Sequence, residues 1–153
     1  MKTLSNLSEY LGKQAGEKGV DFIIDLPNDA INIRGLEARL AQVFVNLITN
    51  AVSFCESGDA VRVWARRREN RVLVVIEDTG PGIPEQALTK VFKRFYSERP
   101  EGQFGNHSGL GLAISKQIVE AHGGVIWAEN IRPTNADITS EPLGARFVVG
   151  LPI

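Results

Sequence analysis

The stretch Gln42-Val43-Phe44-Val45-Asn46-Leu47-Ile48-Thr49-Asn50-Ala51 decides the fold. Within the longer segment from Gly35 to Cys55, Leu40, Val43, Phe44, Leu47, Ile48 and Ala51 recur at i, i+3, i+4 and i+7 spacing, which predicts an amphipathic helix with one broad apolar face. Beside that face, at about 100° per residue, Arg39, Asn46, Asn50 and Ser53 form a polar stripe. Working back from this helix, Val20–Leu26 and Ala30–Arg34 read as short strands around the turn-forming Pro27-Asn28-Asp29. Before them, Leu4, Leu7, Leu11 and Ala15 predict a helix over Leu4–Gly16. Working forward, the valine-rich segments Ala60–Arg67 and Arg71–Asp78 form a β-hairpin across Arg68-Glu69-Asn70. A short helix over Glu85–Phe95 leads to Ser97–Ser108, an aperiodic polar segment expected to be a mobile loop. Helical spacing resumes over Leu110–His122 and stops at Gly123-Gly124, and strands Val125–Glu129 and Ala145–Leu151 flank a long connection. Helices and strands mix without a regular βαβ alternation. The expected fold is therefore an α/β two-layer sandwich with a mixed, mostly antiparallel sheet and helices on one face.

Composition narrows the function classes. The 153 residues are 43% hydrophobic, enough for one domain to bury a sizeable core. Seventeen Lys and Arg against 18 Asp and Glu leave a net charge of −1, so no general pull toward nucleic acid or an anionic membrane is expected. The longest apolar run, Val72–Ile76, is far below the roughly 18 residues that span a bilayer. One cysteine, Cys55, and two histidines argue against disulfides and zinc and for a reducing cytoplasm. Arg62, Arg66, Arg67, Arg68 and Arg71 crowd one hairpin without an aromatic ladder and read as a solvated face, and His122 reads as structural.

Three constellations can carry chemistry. Asn46 and Asn50 share one helix face, and a carboxamide oxygen suits one position of a Mg²⁺ otherwise bound by phosphate and water; capping of a neighbouring loop is the alternative. Asp78 ends an apolar strand before Gly80, Gly82 and Ile83. A carboxylate only accepts hydrogen bonds, so on a pocket floor it selects an amino group such as that of adenine, with Ile83 as an apolar wall; an acidic turn is the alternative. Ser108-Gly109-Leu110-Gly111-Leu112 opens a helix whose free N–H groups and dipole suit phosphate, although a plain helix start has the same look. No P-loop motif is present, and neither Gly-x-Gly continues into a dinucleotide-binding fingerprint.

The order of these segments resembles the ATP-binding catalytic domain of bacterial two-component sensor histidine kinases, in the superfamily shared with gyrase-type, chaperone and mismatch-repair ATPases. Gln42–Ala51 is similar to that family's N box, Asp78–Ile83 to its first glycine box, Val91–Tyr96 to its F box and Ser108–Leu112 to its second glycine box. Gly123–Trp127 and Gly144–Phe147 resemble its closing strands. The resemblance runs from about Val20 to Ile153, and residues 1–19 look like the end of a linker from a phosphoacceptor and dimerisation domain outside this chain.

The resemblance implies the Bergerat fold and an ATP site. Asp78 would bond the adenine amino group, Phe54 and Ile83 would face the ring, and Asn50 would bind Mg²⁺. Asn46, Gly80, Gly82, Phe95, Arg99, Ser108, Gly109, Leu110, Gly111 and Leu112 would also contact the nucleotide, and Ser97–Ser108 would be the ATP lid with Phe92 and Phe95 at its base. Asn46 stands where hydrolytic relatives carry a water-activating glutamate, so ATP should persist until a better nucleophile arrives. The pattern departs from the family at Ser53 and Ser97, where basic residues are common, and at His107, where a glycine is common. Neither His107 nor His122 sits in an acceptor-like motif. The implied activity is transfer of the γ-phosphoryl of ATP to a histidine on the dimerisation domain, which then phosphorylates a response regulator, in the cytoplasmic part of a membrane-anchored kinase. Asn46 and Asn50 would be its catalytic residues. The Glu98–Gly102 segment resembles a subgroup of envelope-sensing kinases. An anti-sigma-type serine kinase and a non-catalytic adenine-nucleotide sensor are the alternatives.

Overall fold

The computed structural model describes residues 2–26, 37–84, 87–93, 111–131 and 143–152. Their element order is α1 (Lys2–Lys18), β1 (Asp21–Asp25), α2 (Glu37–Phe54), β2 (Ala60–Arg68), β3 (Arg71–Asp78), a 3-10 turn (Lys90–Phe92), α3 (Gly111–Ala121), β4 (Val125–Ile131) and β5 (Gly144–Pro152). One five-stranded sheet runs in the order β1-β2-β3-β5-β4. Only β1 and β2 are parallel, as expected for strands joined by a crossover through α2. The other three pairings are antiparallel. The expected sandwich is therefore present.

Strand alternation separates the two faces. Val61, Val63, Val72, Val74, Ile76, Phe147, Val149 and Leu151 join the core with Val43, Leu47, Ile48 and Ala51 of α2, all buried. Each of the larger side chains among these contributes roughly 1.5–3 kcal/mol on burial, and this packing, more than local propensity, holds α2 helical. Leu4, Leu11 and Ala15 of α1 belong to the same core. At the end of α1, the Lys18 ammonium donates to the carbonyls of Val52 (2.9 Å) and Ser53 (3.4 Å), placing a cation at the negative end of the α2 dipole.

The opposite face has no helix among the described residues and is covered by its own side chains. Arg62 and Arg66 lie over the Trp64 ring at 5.6 and 5.3 Å, Arg62 pairs with Asp25, and the Trp64 indole N–H donates to Glu77. The arginine-rich hairpin is thus an exposed, partly self-paired face, as its composition indicates. His122 brings Nδ1 within 2.7 Å of the Ile118 carbonyl at the end of α3, in keeping with a structural role.

Most element boundaries differ from expectation by one or two residues, and one element differs in kind. α1, β2, β4 and β5 run slightly past their expected ends, and β1, α2 and α3 fall slightly short of theirs. In place of an α-helix over Glu85–Phe95, the described residues form a 3-10 turn closed by Lys93 N–H on the Lys90 carbonyl. So few apolar residues cannot offset the cost of nucleating an α-helix, and Val91 is buried by a single tight turn instead. The expected strand Ala30–Arg34 lies outside the described residues.

Candidate functional site

α2 connects two corners of the molecule. Its last residue, Phe54, is half-buried, and its carbonyl oxygen lies 3.1 Å from where a side chain at Gly80 would begin. The end of α2 thus abuts the end of β3. Eight residues earlier, about 12 Å along the helix axis, the Asn46 amide nitrogen donates to the Gly111 carbonyl (3.2 Å) and to Ser115 Oγ (3.3 Å) of α3. Asn50 sits between these ends on the same helix.

At the first corner Asp78 is a buried carboxylate, 3% exposed. Its Oδ1 accepts the Gly80 N–H at 2.9 Å, and the Ala145 backbone N–H also bonds it. Burial pushes its pKa up to about 6, the two backbone hydrogen bonds oppose the shift, and nearby Asp59 adds to it. A carboxylate kept dry in this way gains strongly from a donor. Ile83 is buried just beyond Gly82, whose φ of 83° turns the chain back in a conformation that favours glycine. Ile83 is pinned by Asn130 of β4: its N–H donates to Asn130 Oδ1 (2.7 Å), and Asn130 Nδ2 donates to its carbonyl (2.6 Å). Gly144 closes the corner from β5. With φ 157°, it leaves no room for a side chain, because a Cβ there would collide with the Asp78 carbonyl.

At the second corner, Ser115 Oγ returns to the Gly111 carbonyl at 2.8 Å, so the first turn of α3 and Asn46 form one small hydrogen-bonded unit. Leu112 is half-buried against the core. The Ser53 hydroxyl donates to the Asn50 carbonyl of its own helix at 2.5 Å. Phe92 packs its edge on Phe147, with ring centroids 6.0 Å apart. Among the expected site residues, Asn46, Asn50, Phe54, Asp78, Gly80, Gly82, Ile83, Gly111 and Leu112 are described. Phe95, Arg99, Ser108, Gly109 and Leu110, with the expected lid, lie outside the described residues.

Residues 35–153 match the family model described as histidine kinase-, DNA gyrase B-, and HSP90-like ATPase. The chain belongs to this family. Across 99% of its length it is 43% identical to the sensor protein ChvG of Rhizobium meliloti, of which it spans about a quarter (27%). It superposes on full-length ShkA, solved in complex with AMPPNP, with a TM-score of 0.79 and 28% identity, over 99% of this chain and 29% of that one. The fold also matches the histidine kinase ThkA solved with the response regulator protein TrrA, with a TM-score of 0.77 and 24% identity, over 99% of this chain and 39% of the other. The resemblance to sensor histidine kinase catalytic domains is thereby borne out.

Within this ATPase family member, two polar residues escaped the sequence reading. Ser115 and Asn130 carry no motif of their own, and their contacts with Asn46 and Ile83 come from distant parts of the chain. Cys55 is buried and its thiol is pushed up to about 11, chiefly by burial, so it stays protonated and inert. Among the described residues no group of three or more His, Cys, Asp or Glu side chains converges as a metal site. The Asn50 carboxamide offers a neutral oxygen, a donor of the kind that suits a cation shared with phosphate oxygens.

Proposed function

We propose that this domain binds MgATP and transfers its γ-phosphoryl group to an imidazole nitrogen of a histidine on a dimerisation domain outside this chain, which in turn phosphorylates a response regulator. The observation that carries this reading is the buried Asp78 carboxylate at the end of β3, held by backbone N–H groups beside Ile83 and the end of α2. It offers an acceptor to the adenine amino group in a dry setting, where guanine would present an oxygen instead. Ile83 and Phe54 supply the walls against the ring. α2 then leads from the ring toward the phosphates, with Asn50 as the protein's ligand to a magnesium ion whose charge, when bound, offsets that of the triphosphate.

Asn46 has two consequences for the reaction. Its carboxamide cannot take a proton from water, which disfavours hydrolysis. Its nitrogen also ties α3 to α2, so the residue that replaces a general base serves as a strut for the helix that opens at Gly111. The remaining task of the domain is positioning, in keeping with phosphoryl transfer in general. Residues 1–19 are read as the end of the linker from the dimerisation domain, with 20–153 as the catalytic domain in the cytoplasmic part of a membrane-anchored kinase. No helix among the described residues is long and apolar enough to cross a membrane.

The test is incubation with labelled ATP, with and without a histidine-bearing dimerisation domain. Acid-labile label on the added domain alone is expected. Acid-stable label would indicate serine transfer, and rapid phosphate release by the chain alone would indicate an ATPase. A melting curve unmoved by millimolar MgATP or MgADP would refute nucleotide binding itself.

A further inference from the structure

Ile83 follows the end of β3 and has no strand partner among the described residues, yet both of its backbone polar groups are paired by one side chain 47 residues away. The Asn130 carboxamide accepts from the Ile83 N–H and donates to the Ile83 carbonyl, at 2.7 and 2.6 Å. This is the donor and acceptor pattern that a neighbouring strand would offer, supplied by an amide that is itself peptide-like. One hydrogen bond would leave the residue free to swing about it. Two parallel bonds to a planar group fix the peptide orientation, and hence the direction of the Ile83 side chain.

The anchor point is also informative. Asn130 on β4 is paired in register with Ala145 on β5, and Ala145 is paired with Asp78 on β3. Asn130, Ala145 and Asp78 therefore occupy one row across the sheet. The Ala145 backbone N–H, in the middle of that row, bonds Asp78, and Asn130, at its far end, holds Ile83. We infer that Asn130 is a positioning residue for nucleotide recognition: its carboxamide sets the apolar wall at Ile83 in register with the adenine acceptor at Asp78. This rests on the reading of Ile83 as the wall of the adenine pocket.

The chemistry of the clamp is specific to asparagine. Aspartate at 130 accepts from the Ile83 N–H but repels its carbonyl. Serine reaches at most one of the two groups, and glutamine carries the amide one methylene too far.

The test is a double-mutant cycle read by calorimetry on the whole chain, with adenosine and MgATP as ligands, well below the melting temperature. Asn130→Ala and Asn130→Asp are expected to weaken both ligands by the same factor, about tenfold, because the clamp acts on the ring and not on the phosphates. In an Ile83→Ala background the same substitutions should change affinity less than about twofold, since no wall remains to be positioned. Asn130→Ser, a milder change, keeps the test alive if alanine or aspartate fails to fold, and should give an intermediate loss. A merely structural role would lower the melting temperature in both backgrounds and leave affinity at low temperature unchanged. Unchanged affinity in the Asn130 variants, or an equal loss in the Ile83→Ala background, overturns the clamp while leaving the adenine pocket intact. Wild-type affinity in Ile83→Ala alone overturns the wall, and the clamp with it.

Discussion

The corner at the end of β3 and the seam between α2 and α3 are built by different means, although one helix touches both. The first is keyed to sheet register: Asp78, Ala145 and Asn130 share a row, and Gly144 lies where any Cβ would strike backbone. The second is held by the Asn46 carboxamide and a serine hydroxyl between two helices. Sheet pairing is cooperative over many residues, whereas side-chain bonds between helices break one at a time. In the proposed site the ring end should therefore be rigid and intolerant, and the phosphate end adjustable.

The largest effect is expected at Gly144. Gly144→Ala should cost at least about 3 kcal/mol in urea unfolding, because the new methyl group meets the Asp78 carbonyl and backbone cannot yield as a side-chain tip can. A loss within about 1 kcal/mol would show the corner to be softer than its register suggests.

Asp78→Asn comes next. Affinity for ATP, ADP and adenosine should fall together by about ten- to a hundredfold in calorimetry, the worth of a hydrogen bond to a charged acceptor. Asn50→Ala, in contrast, should impair magnesium-dependent phosphoryl transfer more than adenosine binding. Equal loss of magnesium-free ADP binding in both variants would erase the distinction between ring end and phosphate end.

The pH dependence sharpens the same contrast. The folded pKa of Asp78, about 6, lies above the ordinary carboxylate value of 3.8, so the folded chain holds this proton more tightly than the unfolded chain. Asp78 therefore favours the ligand-free fold most at acid pH, and that contribution is lost as pH rises through about 6. In the proposed site adenine binding should run the other way, because it would need the ionised acceptor. Adenosine affinity should drop about eightfold between about pH 6.5 and 5 if only the ionised form binds, and Asp78→Asn should flatten both slopes. Titration of melting temperature and of affinity on the same samples checks the opposite signs.

The smallest effect belongs to the seam. Asn46→Ala should cost about 1 kcal/mol of stability, leave adenosine affinity unchanged and weaken MgATP. Asn46→Glu should not create a fast ATPase. Its carboxylate would face the Gly111 carbonyl, which the amide now bonds, and would turn away from it before it could serve an ordered water. Rapid hydrolysis by that variant would show the strut to be dispensable.

Periodicity alone was sufficient for much of this molecule. The apolar face of α2, the valine hairpin and the closing strands bury the residues their spacing selects, because burial of a 3.6- or 2-residue period is a local property that packing only has to satisfy. The segment after Pro84 misled for the same reason in reverse: a few apolar residues satisfy a helical template and a 3-10 turn alike, and only the core beneath Val91 chooses between them. In the candidate site, Asp78, Ile83 and the Asn46–Asn50 face stand out in the sequence because their residue types sit at the ends and edges of strongly periodic elements, and the structure places Asp78 and Ile83 at one corner of the sheet. The sequence by itself thus determined the layers, the strand pattern and which polar groups lie where chemistry is possible. Tertiary structure alone decided that β5 inserts between β3 and β4, and so set Asn130 and Asp78 on one row with Gly144 against the Asp78 carbonyl. Pairing between distant strands depends on long-range register, and a lone asparagine or glycine carries no local sign of the partner that register will bring to it.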